Sequence, residues 1–345
     1  MKLRVGIIGL GDSWQHRHAP ALRMLSDRFE LRAVCDQVAH RAHQVAVEFG
    51  ATAVDGFRVL TQREDVDVVL ILAPQWYGAL PVLAACEAGK AVYCASGMDL
   101  SVEDAARIKN RVEETGIAFM AEFPRRYAPA TLRLKELIAT RLGNPRLLFC
   151  HQRSVADTPG NQSTHRWPRP PGSRSLVELV DWCRYVVDCE ASGVSGVMHT
   201  STCKQGEEDY QMMSLDFSDP KCPGSGTVAQ ISCGRYVPSH WQEAITYRPL
   251  PALQVSCERG IAFVDLPTTL VWFDEAGRHQ ESLESERPVG ELLLTQFHRS
   301  VTSLVRKTND LEDSYKALVI VEQARRSQQE GRRIVLEPSC VEPSC

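Results

Sequence analysis

Residues 5–14 read VGIIGLGDSW, in which a short apolar run ends at two closely spaced glycines, Gly9 and Gly11. A glycine pair at the end of a strand and before a helix lets backbone amides approach a pyrophosphate group. The third glycine of the G-x-G-x-x-G pattern is missing, because Trp14 occupies its position. Two of the three glycines therefore predict a dinucleotide-binding loop.

An acidic residue supports this interpretation. Asp36 closes the run ELRAVCD and follows Gly11 by 25 residues. A carboxylate near this distance takes the ribose hydroxyls of NAD and repels a 2′-phosphate, so the sequence favours NAD over NADP. The alternative is a glycine turn with a solvated aspartate. The candidate cofactor-binding residues are Gly9, Gly11, Asp12, Ser13, Trp14, Asp36, Ala73, Pro74, Gln75 and Ser96.

Residues 1–122 alternate short apolar runs with longer helical patterns, as parallel strands joined by crossover helices do. The predicted strands are Leu3–Ile8, Glu30–Cys35, Thr52–Val54, Val68–Leu72, Ala91–Cys94 and Ile117–Ala121. Gly116 falls where a left-handed helix end is expected, and Ser101 with Asp104 resembles a capping box. The fold class is therefore α/β, with an N-terminal Rossmann parallel sheet.

Residues 123–336 have a different pattern, with helices about Pro129–Thr140, Leu176–Val187 and Asp313–Glu330. Between the last two helices lie period-two runs such as DYQMMSLDF and GTVAQISCGR, and the segment CERG suggests a hairpin turn. This pattern predicts a C-terminal α+β domain with a large open, mostly antiparallel sheet. Residues 337–345 carry a repeated EPSC sequence and are interpreted as a tail.

Composition narrows the function classes. A formal net charge of −4 gives no basic face for nucleic acid, and no apolar run of eighteen residues suggests a membrane span. Twelve cysteines occur without a Cys-x-x-Cys pair, which favours free thiols. The amino-terminal segment is typical of a first strand rather than a signal peptide, so we expect a cytoplasmic protein. His16 and His18 lack an evident third ligand, and no metal site is expected.

The order of several landmarks resembles the Gfo/Idh/MocA family, the relatives of glucose-fructose oxidoreductase and inositol dehydrogenase. The landmarks are GIIGLG, HAPAL (18–22), VCD, LAP (72–74), EAGKAVYC, FPRRYAPA (123–130) and YKALVIVEQARRS. The resemblance implies NAD(P)-dependent oxidation or reduction of sugars, polyols and related carbonyl compounds. It also implies a small-molecule ligand, and homodimers or tetramers formed through the open sheet.

The residues that the resemblance implies for catalysis are largely replaced. The family ends its fifth strand in Glu-Lys-Pro, where this chain has Ala95, Ser96 and Gly97. A family helix presents an aspartate and, four residues later, a histidine, where this chain has Glu178 and Trp182. Asp181 and Tyr185 repeat the four-residue spacing with a carboxylate and a phenol. The candidate catalytic residues are Ser96, Glu178, Asp181, Trp182 and Tyr185.

Several polar and aromatic residues are candidates for the substrate site, with a domain-interface contact or a loop anchor as the alternative for each. They are Arg125, Tyr127, His151, Arg166 and Trp167. Three functions remain open at this point. The chain is an atypical oxidoreductase, with His151, Asp181, Tyr185 or the substrate itself as proton source, a catalytically silent protein that binds NAD and a ligand, or a structural subunit.

Overall fold

The structure, a computed structural model of the protein, describes residues 1–11, 13–73, 77–95, 100–155, 173–200, 208–237, 239–241, 243–247, 250–284, 286–303 and 309–336. The chain forms two compact units. One unit consists of residues 1–127 with 286–318, and the other of residues 128–285 with those from 319 onward. The tail at 337–345 lies outside the described residues.

The first unit contains a six-stranded parallel sheet, which confirms the predicted Rossmann architecture. Its strands are β1 Leu3–Ile8, β2 Phe29–Cys35, β3 Thr52–Ala53, β4 Val68–Ile71, β5 Ala91–Cys94 and β6 Phe119–Ala121. Across the sheet they are ordered β3-β2-β1-β4-β5-β6, so the direction of strand addition reverses between β1 and β4. Ligands of such sheets bind beyond the carboxyl ends of the strands at this reversal.

Crossover helices connect these strands. A π-helical turn at Trp14–His18 leads into α1 Ala19–Met24, followed by α2 Ala39–Phe49, α3 Phe57–Thr61, α4 Leu80–Glu87 and α5 Val102–Thr115. The Ser101 hydroxyl accepts the Asp104 N–H at 3.1 Å, and Gly116 ends α5 with a φ of 61°. Both predicted end signals of α5 are therefore confirmed.

The core of the first unit is apolar and includes a helix from late in the chain. Helix α9, Val289–Thr302, contributes Leu293, Leu294 and Phe297, each with no exposed surface, to the core that surrounds β1. The sequence placed the whole of 123–336 in the second domain. In the structure, residues 286–318 return to the first unit, because α9 buries its apolar stripe there.

The second unit is built on a nine-stranded sheet in the order β14-β13-β12-β11-β7-β10-β9-β8-β15. Its strands are β7 Pro145–Val155, β8 Gly193–Thr200, β9 Glu208–Asp216, β10 Val228–Val237, β11 Leu253–Cys257, β12 Ile261–Asp265, β13 Thr269–Asp274, β14 Gly277–Ser282 and β15 Ile334–Val335. Strands β7 and β10 pair in parallel, and the other strand pairs that the structure describes in this sheet are antiparallel. The predicted α+β architecture is thus confirmed.

Helices lie against one face of this sheet. They are α6 Pro129–Leu137, which continues as a π-helical turn at Ile138–Leu142, α7 Ser173–Val187 and α10 Asn309–Glu330, whose residues up to Leu318 belong to the first unit. The short α8, Glu243–Thr246, lies between β10 and β11 in the chain. A short 3-10 helix spans Ser239–Trp241. The Arg133 guanidinium of α6 donates to both carboxylate oxygens of Glu281 on β14, at 2.8 and 2.9 Å. This bidentate pair fixes α6 over the edge of the sheet.

The two faces of the sheet differ in cover. On β7, Leu148 and Cys150 are buried, and Gln152 Nε2 donates to Ser175 Oγ of α7 at 3.4 Å. Leu147, on the alternate side of the strand, is 45% exposed. Because successive side chains of a strand point to opposite faces, even-numbered residues of β7 face the helices and odd-numbered ones the open face.

Candidate functional site

The predicted glycine loop lies at the carboxyl end of β1. Gly9 and Gly11 have φ angles of 71° and 33°, which L side chains rarely adopt. A Cβ on Gly9 would lie 2.6 Å from the Ala73 side chain, and one on Gly11 would clash with the Leu72 carbonyl oxygen. The loop therefore lies directly against the end of β4, at the reversal point of the sheet, and leaves no room for a side chain at either position.

Trp14, which replaces the third glycine, is a core residue. Its side chain is 5% exposed and packs against Phe49 of α2, with the ring centroids 5.7 Å apart. Ser13 accepts the backbone N–H groups of Arg17 and His18 through its carbonyl oxygen, at 3.0 and 3.3 Å. The indole of Trp14 thus stabilises the helical turn after the loop, and a contact between the backbone of Trp14 and the cofactor stays a prediction.

Asp36 is directed toward the glycine loop. One carboxylate oxygen accepts the Leu10 N–H at 2.8 Å, and the other accepts the Val38 N–H at 2.8 Å. Each oxygen retains a lone pair, so the carboxylate can still accept hydrogen bonds from a ligand's hydroxyl groups. The predicted proximity of loop and carboxylate is present in the structure, while the contact to a ribose stays a prediction.

The remaining cofactor candidates fall into two groups. Ala73 follows β4 and lies against Gly9, as described above. Asp12, Pro74, Gln75 and Ser96 lie outside the described residues. Tyr77, two residues after Gln75, packs edge-on against Phe57, with the ring centroids 6.0 Å apart. Burial raises the pKa of the Tyr77 hydroxyl above its ordinary value.

A charged cluster at the end of β6 was not found from the sequence. Glu122 directly follows β6 and is 1% exposed; its carboxylate contacts Arg17 Nη1 and lies 3.2 Å from His18 Nε2. Burial favours the neutral acid, but the charges and hydrogen bonds of His18 and Arg17 outweigh it and hold the pKa of Glu122 at about 2. The only signal in the sequence is one acidic residue closing an apolar strand.

The residues after Glu122 are tied to the first unit. Arg126 donates to the Asp313 carboxylate at 2.8 Å, and Tyr127 packs, partly buried, against the apolar core. Arg125 lies between Pro124 and Arg126 and is half-buried. The structure therefore places the substrate candidates Arg125 and Tyr127 in the first unit, beyond the carboxyl end of β6, while Arg166 and Trp167 lie outside the described residues.

Helix α7 separates its four catalytic candidates into two pairs. Trp182 has no exposed surface and donates its Nε1–H to Thr131 Oγ1 at 3.0 Å. Asp181 is 1% exposed and lies 3.9 Å from the Arg184 guanidinium. Both side chains pack inside the second unit, and the catalytic assignment of Trp182 and Asp181 stays a prediction.

Glu178 and Tyr185 are the half-buried members of the same helix. They are seven residues apart, which is about two helical turns, so they share one side of α7. Lys135 lies 5.0 Å from the centre of the Tyr185 ring and donates to the Tyr185 carbonyl oxygen at 2.9 Å. Of the predicted acid-base residues on this helix, these two side chains remain accessible.

His151 lies on the other side of the sheet. As an odd-numbered residue of β7 it faces the open side, where its Nδ1 is 2.8 Å from Ser232 Oγ of β10. Burial, and secondarily the charge of Arg153, lower the pKa of His151. Since α7 covers the opposite face, His151 does not share a pocket with Glu178 or Tyr185, and its role as a substrate residue or an alternative proton source stays a prediction.

The open face also carries an apolar depression of about 330 Å³. Among its lining side chains are Leu147, Phe149, Val197, Met212 and Val228. Within the described ranges, no group of three or more potential metal ligands occurs. None of the described helices is long and apolar enough to cross a membrane.

Comparison with known proteins connects this geometry to a family. A family model described as an oxidoreductase family with an NAD-binding Rossmann fold matches residues 3–123. The inositol 2-dehydrogenase 3 of Saccharopolyspora erythraea is 32% identical over 228 residues, which are 63% of each chain and less than two thirds of that relative. The myo-inositol 2-dehydrogenase of Thermotoga maritima is 25% identical over 97% of this chain and 99% of its own.

A solved structure shows the same fold over the full length. The aldose-aldose oxidoreductase of Caulobacter crescentus, in complex with glycerol, aligns with a TM-score of 0.82. The alignment covers 97% of this chain and 100% of that one, at 18% identity.

 At this level of identity the likeness shows the fold alone. The fold, the glycine loop beside Asp36 and the sequence matches agree with one another. Residues 3–123 therefore match the Gfo/Idh/MocA family of oxidoreductases and form an NAD-binding Rossmann domain.

Proposed function

We propose that this protein is an NAD-dependent oxidoreductase that acts on a polyol, a sugar or a related carbonyl compound through a non-standard catalytic set. The observation that carries the proposal is the hydrogen bond from Leu10 N–H to the Asp36 carboxylate, which joins the glycine loop to an acidic residue at the end of β2. The substrate class is supported by the names of the relatives, which are inositol dehydrogenases.

The residues at this edge of the sheet fit a dinucleotide. Gly9 and Gly11 keep the loop free of side chains, so that a pyrophosphate can approach the backbone amides. Asp36 has lone pairs left for ribose hydroxyls, and its negative charge disfavours a 2′-phosphate. Bound NAD would supply the group that accepts or donates a hydride. The protein's own residues bind the cofactor and hold the substrate beside it.

A catalytically silent protein that binds NAD and a ligand is the second candidate. Trp182 supports it, because the residue at the place of the family's histidine is a buried indole bound to Thr131 and exchanges no proton with a substrate. Ser96, at the place of the lysine, carries no positive charge at neutral pH. Under this alternative, cofactor binding is retained and turnover is absent.

One experiment separates the two candidates. The purified chain is titrated with NAD⁺, NADH, NADP⁺ and NADPH by calorimetry, and is then assayed at 340 nm with NAD⁺ and myo-inositol, scyllo-inositol, D-xylose or D-glucose. Turnover with any of these compounds supports the oxidoreductase. Binding of NADH without turnover of any compound supports the silent protein. Failure to bind any of the four nucleotides at millimolar concentration contradicts both.

We also propose that a second copy of the chain covers the open face of the nine-stranded sheet. Leu147, Val197 and Phe273 are 45%, 53% and 41% exposed on three strands of this face. Exposed apolar side chains grouped on a sheet face that no described helix covers are typical of an interface, and a two-fold contact lets one such face pair with itself. A cytoplasmic location, with the described cysteines as free thiols, belongs to the same proposal.

A further inference from the structure

A buried carboxylate at the carboxyl end of β6 holds an arginine from the segment after the glycine loop. The Glu122 N–H donates to the Cys94 carbonyl oxygen at 2.8 Å, so Glu122 continues the pairing of β6 with the end of β5. Its carboxylate contacts the Arg17 guanidinium and lies 3.2 Å from His18 Nε2. All these groups belong to the first unit, at the ligand-binding edge of its sheet.

The three side chains differ in accessibility. The side chains of Glu122 and His18 are each 2% exposed, whereas that of Arg17 is 28% exposed. Within the described chain, His18 Nδ1 is buried and makes no hydrogen bond. The guanidinium of Arg17 is therefore the member of this cluster that a bound molecule can reach, and the buried carboxylate fixes its position.

The Arg17 guanidinium lies beside a strand end, that of β5, which has no lysine directly after it in this chain. The family resemblance implies a lysine shortly after β5, where this chain has Ser96. Glu122 is hydrogen-bonded to Cys94, the last residue of β5, and brings the Arg17 guanidinium to the adjacent strand end. A positive charge thus lies beyond the carboxyl end of β6, the strand next to β5, after which the lysine is missing.

We propose that Arg17 supplies the positive charge that stabilises the reacting oxygen of the substrate, and that Glu122 is the positioning residue that holds Arg17 in place. This inference rests on the proposed function as an oxidoreductase. Arg17 takes over the electrostatic part of the lysine's role, while the proton is transferred elsewhere, because a guanidinium stays protonated in proteins.

The chemistry balances without a proton on Arg17. In the oxidation of a secondary alcohol, the C–H bond breaks and its electron pair leaves with the hydrogen as a hydride, which NAD⁺ accepts. The hydroxyl proton passes to water, and the carbon–oxygen bond becomes a carbonyl. Negative charge grows on the oxygen during hydride loss, and a fixed cation nearby lowers the energy of that state.

The test compares Arg17→Gln, Arg17→Lys and Glu122→Gln with Arg23→Gln as the matched control. Arg23 lies on the following helix and forms an ion pair with Glu48, and its side chain is 55% exposed. Steady-state kinetics are measured with NAD⁺ and whichever of the four compounds named above turns over. Dissociation constants for NAD⁺ and NADH are measured by calorimetry, and thermal unfolding reports whether each variant is folded.

We expect Arg17→Gln to lower kcat by about 100-fold or more, the usual effect of removing one group that stabilises an oxyanion. The KM for the substrate should change less than about threefold, since the interaction is made in the transition state. Arg17→Lys should recover at least about tenfold of the loss, because it restores the charge. Glu122→Gln should lower kcat by about tenfold, and Arg23→Gln should leave it unchanged. Wild-type kcat in a folded Arg17→Gln variant would overturn the proposal.

Cofactor binding distinguishes failure of this inference from failure of the proposed function. A cation near the nicotinamide disfavours NAD⁺, whose ring is positive, relative to NADH. Arg17→Gln should therefore lower the ratio of the NAD⁺ to the NADH dissociation constant by about threefold or more. If the wild type binds both nucleotides without turnover, this shift still supports the position of Arg17, and an unchanged ratio overturns it. A wild type that binds neither nucleotide refutes the inference and the proposed function together.

Discussion

The Asp36 carboxylate accepts a hydrogen bond from the Leu10 backbone N–H at 2.8 Å, which ties the end of β2 to the loop between Gly9 and Gly11. In the proposed function the same carboxylate binds the ribose, so it would couple the conformation of the loop to the choice of cofactor. The same carboxylate accepts the Val38 N–H, so both of its oxygens are fixed before a ligand arrives. Preorganisation of this kind favours binding, because little is left to be ordered on association.

We expect Asp36→Ser to weaken NAD⁺ binding by about tenfold or more, since hydrogen bonds to a charged group contribute about 1.5–3 kcal/mol. Discrimination against NADP⁺ should fall at the same time, because the charge that repels a 2′-phosphate is removed. Calorimetric titration with both nucleotides measures the two effects. Asp27→Ser is the control, since the Asp27 side chain is 73% exposed and lies outside the loop. An unchanged NAD⁺ affinity in Asp36→Ser would contradict the assignment of Asp36.

Gly11→Ala tests the close approach of the loop to the end of β4. Its Cβ would clash with the Leu72 carbonyl oxygen, so the loop must move, and NADH binding should weaken by about tenfold or more. Gly50→Ala is the matched control. Gly50 has a φ of 67° but no atom within 4 Å of an added Cβ, so it reports the backbone cost alone, about 1 kcal/mol. Equal NADH affinities in the two variants would show that the approach at Gly11 has no role in binding.

Local patterns in the sequence predicted much of the first unit. Leu3–Ile8 and Ala91–Cys94 are strands with the predicted bounds, because β-branched runs between turn residues depend little on the rest of the fold. The strand Thr269–Asp274 and the edge strand Gly277–Ser282 were not predicted. The second of them, GRHQES, has no apolar alternation, since most of its residues are exposed at the sheet edge.

The functional clusters were harder to predict, because they depend on distant partners. Arg17 and Glu122 are 105 residues apart, and no periodicity connects them. The exchange of histidine for Trp182 was visible in the sequence, but its hydrogen bond to Thr131, 51 residues away, was not. Periodicity finds the face that an element buries, whereas a polar contact between two elements requires the tertiary structure.

Trp182 should contribute to stability rather than to chemistry. Trp182→Phe removes the donor to Thr131 and leaves a small cavity, so we expect it to lower the free energy of unfolding by about 1–3 kcal/mol. Urea denaturation measures this change, and NADH affinity should stay the same. Trp241→Phe is the control, because Trp241 is 57% exposed and its replacement should have little effect on stability. A loss of NADH affinity in a folded Trp182→Phe variant would contradict a purely structural role.

Glu122 should make stability dependent on pH in the acidic range. Its pKa of about 2 in the folded protein lies below the ordinary 4.5, so its stabilisation is complete above pH 4.5 and is lost as pH falls toward 2. The groups that face it are Arg17, His18 and Tyr93. Glu122→Gln should therefore be less stable than the wild type at pH 6, by on the order of 3 kcal/mol, and the difference should shrink at pH 3.

Urea denaturation at pH 6, 4.5 and 3 measures this difference for Glu122→Gln. Glu114→Gln is the control, because the Glu114 side chain is 63% exposed and its ion pair with Arg111 contributes little. The stability of the control should follow that of the wild type at each pH. A constant difference between wild type and Glu122→Gln over the whole range would show that the carboxylate is not the titrating group.

The proposed pairing of open sheet faces predicts that a charge on this face separates the copies. Leu147 and Val197 both line the apolar depression, on β7 and β8, so Leu147→Asp with Val197→Asp would bury two unpaired carboxylates in the contact. Burial of an unpaired charge opposes association, so sedimentation velocity should show a shift from dimer or larger species to monomer. Val47→Asp is the control, because Val47 is 70% exposed on α2 in the first unit and should leave the oligomer intact. A wild type that sediments as a monomer at micromolar concentration would refute the pairing, whereas dissociation by the double variant alone would assign it to the open face.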